Sequence, residues 1–204
     1  MTYRDVLATV DDWFARGVAA AGRGVVPCVR GCSSCCHGPF DISPADVALV
    51  AEGVAALPEA QRRAVRSRAE KQLRRYAEVL PEWRAPFEID QLDEQAFDAL
   101  TERLSSAPCP ALAEDGSCSI HAHRPATCRL TGLSLRSAQG DVLENYCPIQ
   151  EQFPDYAALA PTDFDLQAFE AEAARCDAQA AATGHASTTV AGAIALFAAE
   201  RTNS

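Results

Sequence analysis

Cys28-Val29-Arg30-Gly31-Cys32-Ser33-Ser34-Cys35-Cys36-His37-Gly38-Pro39 sets four thiols within nine residues, spaced C-x3-C-x2-C-C, on a stretch that ends Gly-Pro. No packing argument accounts for that density of cysteine on a loop. Thiols at such spacing converge on one point, and what holds them there is a metal or a disulfide. The chain opens Met1-Thr2-Tyr3-Arg4-Asp5, without an apolar signal-peptide core, so a reducing cytoplasmic setting is expected. Nine cysteines is also an odd number, which a complete disulfide framework would not leave. Metal is the reading these residues favour.

Working outward from the cluster, the flanking chain reads as helix. Upstream, Tyr3, Val6, Leu7, Val10, Phe14 and Val18 form a helical stripe that runs out at Gly22-Arg23-Gly24. Downstream, Ser43 caps a helix, Pro44 takes its first turn and Asp46 sits where a carboxylate can reach back to the cap. Its apolar residues are Val47, Leu49, Val50 and Val54, and Leu57-Pro58 ends it. A longer helix follows to about Leu80, with the stripe Val65, Ala69, Leu73, Tyr76 and Leu80. Arg62, Arg63, Arg66, Arg68, Lys71, Arg74 and Arg75 wrap most of its remaining circumference, which reads as a solvated face rather than a dock for an acidic partner. Pro81 and Pro86 mark a linker, and a short helix is expected near Leu92 to Leu104.

A second cysteine region, Cys109 to Cys147, is richer in turns. Glu114-Asp115-Gly116 lies between Ala111-Leu112 and Cys118-Ser119-Ile120 as in a tight hairpin. From about Asp163 two Ala-rich helices are expected, broken at Thr183-Gly184. The longest apolar run, Val190 to Ala199, is far short of the roughly 20 residues of a membrane span and reads as a buried helix. The expected organisation is an N-terminal helix over 1–22, a cysteine-cluster metal-binding domain over 23–150 with helices inserted at about 44–104, and Ala-rich helices over 151–204 packed on that domain. The fold class is mainly α, with a small irregular Cys-rich metal-binding region containing a short β-hairpin.

The 204 residues suffice to bury a core without staples, so the cysteines are not compensating for small size. A net charge of −10 argues against a general nucleic-acid or anionic-membrane surface. Metal ions are the expected partners, with no nucleic acid, no membrane and no protein partner specified by the sequence.

Cys109, Cys118, Cys128 and Cys147 supply a second set of four thiols, with Cys176 left over as a buried thiol on an Ala-rich helix. Four thiolates is the number that a tetrahedral zinc site or a cubane iron–sulfur cluster requires, and soft sulfur favours zinc, iron–sulfur or Cu(I). Whether the two sets form separate sites or interleave stays open. In an extended backbone the side chains of Cys35 and Cys36 point to opposite sides, so it is easier for each to face a different ion. Arg124 and Arg129 flank Cys128 and are placed to donate hydrogen bonds to thiolates; the alternative is that they pair with surface carboxylates. His37, His121 and His123 lie beside cysteines, but eight thiols already fill two tetrahedral sites. On a strand, His121 and His123 would share one face. His185 has no evident partner in the sequence.

Cys28-x3-Cys32-x2-Cys35-Cys36, then Cys109-Pro110-Ala111-Leu112, Gly116-Ser117-Cys118-Ser119-Ile120, Arg124-Pro125-Ala126-Thr127-Cys128-Arg129 and Cys147 resemble the YkgJ-type cysteine-cluster proteins. These carry a CxxCxxCC domain described as a zinc- or iron-chelating module. The resemblance spans about Cys28 to Cys147 and implies chelation of zinc or iron through cysteine, with no settled activity. The chain departs from the pattern at His121, where relatives tend to carry tyrosine, and in the extra residue between Cys28 and Cys32.

The function expected is a cytoplasmic metal-binding protein holding zinc or iron (as an iron–sulfur cluster) through Cys28, Cys32, Cys35, Cys36, Cys109, Cys118, Cys128 and Cys147. Two alternatives stand beside it: an iron–sulfur enzyme related to flagellin lysine methylase, and a metal-stabilised scaffold for protein interaction. C-x3-C-x2-C is also the spacing of the radical SAM loop. A directly following fourth cysteine and the lack of alternating strands and helices argue against that reading.

Overall fold

Capping and helical periodicity place most of the chain in helices. The computed structural model describes residues 1–29, 31–145 and 147–197. In chain order the helices are α1 (Tyr3–Ala21), α2 (Pro44–Ala55), α3 (Glu59–Val79), α4 (Glu94–Arg103), α5 (Ala126–Leu130), α6 (Pro154–Ala157), α7 (Leu166–Ala182) and α8 (Val190–Leu196). Among the described residues, five two-residue strands join them: β1 (Asp41–Ile42), β2 (Leu135–Arg136), β3 (Val142–Leu143), β4 (Thr162–Asp163) and β5 (Thr188–Thr189). The protein is mainly helical, as the sequence led us to expect.

The chain divides into two compact units, Met1–Cys35 with Ala126–Cys176, and Cys36–Pro125 with Asp177–Ser204. In the first, α1 begins with a capping box: the Thr2 hydroxyl accepts from the Asp5 N–H while the Asp5 carboxylate accepts from the Thr2 N–H. The helix stops at Gly22, whose φ of 94° only glycine adopts without strain. It buries Val6, Leu7, Val10 and Trp13. Trp13 is the largest fully buried side chain, though it lies beside the apolar stripe read from the sequence. Its indole N–H donates to the Thr162 carbonyl at 3.3 Å and its ring leans on Phe164 at 5.4 Å. Around it, β2 pairs antiparallel with β3 and parallel with β4. The core of this unit is Val10, Trp13, Val26, Leu133, Leu135, Cys147, Tyr156 and Phe164.

In the second unit, Ser43 caps α2 by accepting from the Asp46 N–H at 3.3 Å, with Pro44 in the first turn. Helices α2, α3 and α8 pack on one another around Val47, Val50, Val54, Val65, Ala69, Tyr76 and Ile194. The cap of α4 is Asp93, which accepts from the Ala96 N–H at 2.7 Å. Among the described residues no helix is long and apolar enough to cross a membrane.

Three local expectations shift. The hairpin around Gly116 is a tight turn closed by the single bridge Leu112↔Cys118, because the Ala113 N–H to Ser117 carbonyl bond leaves no length for regular strands. His121 and His123 lie on a 3-10 turn, not a strand, since the His123 N–H donates back to the Ile120 carbonyl at 2.7 Å. The break after α7 runs on through β5, which pairs antiparallel with β1 before α8 begins. The expected apolar helix over Val190 to Ala199 is described to Phe197; Ala198 and Ala199 lie outside the described residues.

Candidate metal centre

Short turns, not long elements, present the thiols. In the first unit the Cys32 N–H donates to the Val29 carbonyl at 3.0 Å, a tight turn between Cys28 and Cys35. The Cys32 sulfur reaches the Ser34 hydroxyl at 4.0 Å. Cys147 is 6 % exposed and belongs to the core of this unit. Burial pushes its thiol pKa up, and the neighbouring Cys35 and Cys32 thiols push it further. Tyr156 stands beside the same group. Its hydroxyl donates to the Gly132 carbonyl and also lies against the Cys147 sulfur. Burial raises its pKa first, then the nearby Cys28, Cys147 and Cys35. Gly132 completes the wall: a Cβ there would stand 3.6 Å from the Cys28 sulfur and 3.3 Å from the Phe14 ring. Cys28, Cys35 and Cys147 thus lie near one tyrosine hydroxyl, and Cys32 lies near Cys147. Cys128 lies in the same unit on α5, the helix that packs against α1.

The second unit gathers the other thiols. An antiparallel bridge between His37 and Pro108 is framed by the Cys109 N–H to Cys36 carbonyl bond at 2.9 Å and the Gly38 N–H to Ala107 carbonyl bond at 2.7 Å. Cys36 therefore sits opposite Cys109, on the same face of the bridge. A turn closed by the Leu112 N–H to Cys109 carbonyl bond at 2.9 Å then carries the chain to the Leu112↔Cys118 bridge. Burial pushes the Cys109 thiol up to about 11, and proximity to Cys118 adds to that. Burial raises Cys118 as well, opposed in part by the positive charge of Arg124. Arg68, on α3, donates from Nε to the Pro110 carbonyl at 2.8 Å, and its charge also bears on Cys109.

Of the two arginines singled out beside Cys128, Arg129 pairs with the Asp11 carboxylate of α1, its side chain only 9 % exposed. Arg124 bears on Cys118. His123 packs against α2, where Gly53 leaves room for it. His37 and His121 are exposed, and Cys176 is buried on α7. His185 contacts the Thr183 hydroxyl at 3.1 Å and stacks on Phe197. Sequence reading took Arg68 for a solvated arginine and Tyr76 for a stripe residue of its helix, and it missed Tyr156, Gly132 and Gln72. None carries a spacing signal, and only the placement of Cys147 and Cys109 reveals them.

Among the described residues, no three Cys, His, Asp or Glu side chains already form a closed metal site. The donor chemistry nevertheless fits a soft cation. Buried thiols that raise one another's pKa cannot all ionise without a positive charge among them, and thiolate is the form that binds metal. An orphaned carboxamide, Gln72, lies on the α3 face that carries Arg68, whose charge bears on Cys109, and Tyr76, on which Cys109 bears in turn. No curated protein and no solved structure matches the chain. Residues 27–148 match the family model described as "CxxCxxCC: Putative zinc- or iron-chelating domain", and this protein belongs to that family.

Proposed function

We propose that the chain is a metal-holding protein in which zinc or iron is bound by cysteine thiolates in two centres. Cys28, Cys32, Cys35 and Cys147 form one. Cys36, Cys109 and Cys118 form the other, and Cys128 on α5 is the remaining donor. The observation that carries this reading is the gathering of Cys28, Cys35 and Cys147 near Tyr156, where burial and the neighbouring Cys35 and Cys32 thiols oppose ionisation of Cys147 unless a cation is present. A four-thiolate centre leaves no open coordination position, so the role is to hold metal or pass electrons rather than to turn over a substrate there. Bound zinc would lend folding energy to the loops; bound iron–sulfur would add a redox couple.

Metal analysis with a visible spectrum, on protein purified without oxygen, tests this. Brown protein with iron and acid-labile sulfide identifies a cluster; colourless protein with stoichiometric zinc identifies a structural site. Folded protein that takes up neither metal, anaerobically and with its thiols reduced, overturns the reading.

A further inference from the structure

Gln72 is 5 % exposed in the middle of α3, and among the described residues neither its Nε2 nor its Oε1 has a hydrogen-bond partner. A primary amide buried in this way has lost its water and gained nothing, an arrangement that native interiors rarely keep without a use. Its neighbours on the helix say what that use is. Arg68 lies one turn before it and Tyr76 one turn after, so the three side chains stand in a row along one face. Arg68 grips the Pro110 carbonyl next to Cys109 and its charge bears on that thiol, while Cys109 in turn bears on the Tyr76 hydroxyl, so both ends of the row lie near Cys109. The middle place in a row whose two ends face Cys109 belongs to Gln72.

We propose that Gln72 is a positioning residue for the Cys109–Cys118 pair, its amide N–H donating to a thiolate sulfur of the loaded centre. This rests on the thiolate reading above. A neutral donor suits the place. Arg68 and Arg124 already bring positive charge to these thiols, so an amide adds direction to the sulfur without adding further charge.

A purely structural role and a positioning role predict opposite outcomes for Gln72→Met, which keeps the volume and removes both polar ends. For a positioning residue, the metal-free variant melts at the wild-type temperature or above it, because an unsatisfied buried amide is gone. Its affinity for cobalt(II), read by competition with a chelator, falls about tenfold or more at one of two sites. The sulfur-to-cobalt charge-transfer band of that site moves to longer wavelength, since a thiolate without its hydrogen bond gives up electrons more readily. Gln72→Leu, measured alongside, separates volume from polarity and should behave alike. Unchanged affinity and spectrum in both variants overturn the proposal while leaving the metal reading intact. Equal loss of metal-free stability and of both sites overturns it too, in favour of a packing role. Wild-type protein that binds no cobalt, zinc or iron overturns the metal reading itself.

Discussion

Gly132 shows how a single backbone position supports a thiol group. Its φ is 116°, a region that side chains rarely enter, and its N–H donates to the Asn145 carbonyl at 2.7 Å. Its carbonyl accepts the Tyr156 hydroxyl, so the same residue that must stay bare also fixes the tyrosine beside Cys147. Gly132→Ala forces a strained φ and crowds the Phe14 ring, with the new Cβ in contact with the Cys28 sulfur. The expected cost is about 1–3 kcal/mol, read as a fall in melting temperature, with metal lost first from the centre around Tyr156. An alanine variant as stable and as metal-replete as wild type would show that this turn has slack. Tyr156→Phe asks a narrower question at the same place. It keeps the ring and removes the hydroxyl, so it should weaken metal retention while costing only about 1 kcal/mol of stability. If metal retention is unchanged, the hydroxyl serves the Gly132 carbonyl alone.

At the scale of elements, caps and close approaches do the positioning. Gly53 is the point where α2 meets the His121–His123 turn: a Cβ there would come within 2.6 Å of the His123 Cβ and 2.7 Å of its ring. That turn begins where the His121 N–H donates to the Cys118 carbonyl at 3.2 Å, so pressure at Gly53 is passed to a thiol. Gly53→Ala should therefore cost about 1–3 kcal/mol by overpacking and shift the signals of Cys118 and its neighbours in an amide spectrum. A change confined to α2 would sever that link. The helices themselves were legible in the sequence because their signals are local. Ser43-Pro44 announces its own cap, and Gly22 its own stop. The two-residue strands were not legible, since Asp41–Ile42 and Thr188–Thr189 gain meaning only from each other across the whole of residues 43–187. The thiol inventory was legible from spacing, whereas its grouping was not. Cys147 joins the first cluster, and Cys36 joins Cys109, through turns whose hydrogen bonds leave no pattern in the composition.

For the whole molecule, the chain parts between Cys35 and Cys36: one closes a segment of the first unit and the other opens the second. Adjacent residues thus belong to different compact units, and their substitutions should be felt in different places. Cys35→Ser is expected to lower metal content and loosen amides of residues 126–164 by hydrogen exchange, whereas Cys36→Ser should loosen those of 105–120. Two variants that expose the same amides would count against separate centres. Acidity gives a second handle on the whole chain. The Cys109 thiol is held at about 11 in the folded, metal-free protein against an ordinary 9.0, and Cys118 and Cys147 are shifted in the same direction. The folded state binds these protons more tightly than the unfolded one, so the associated stability is complete below about pH 9 and is lost as pH rises toward 11. Each such thiol contributes a slope of at most about 1.4 kcal/mol per pH unit in that window. Metal reverses the sense of this dependence, because loading replaces protons and is undone by acid. The melting temperature of chelator-treated protein should therefore fall between pH 9 and 11, while metal-loaded protein should hold its melting temperature there and lose it on acidification. Parallel curves with and without metal would mean that Cys109, Cys118 and Cys147 keep their protons in both states and are not ligands.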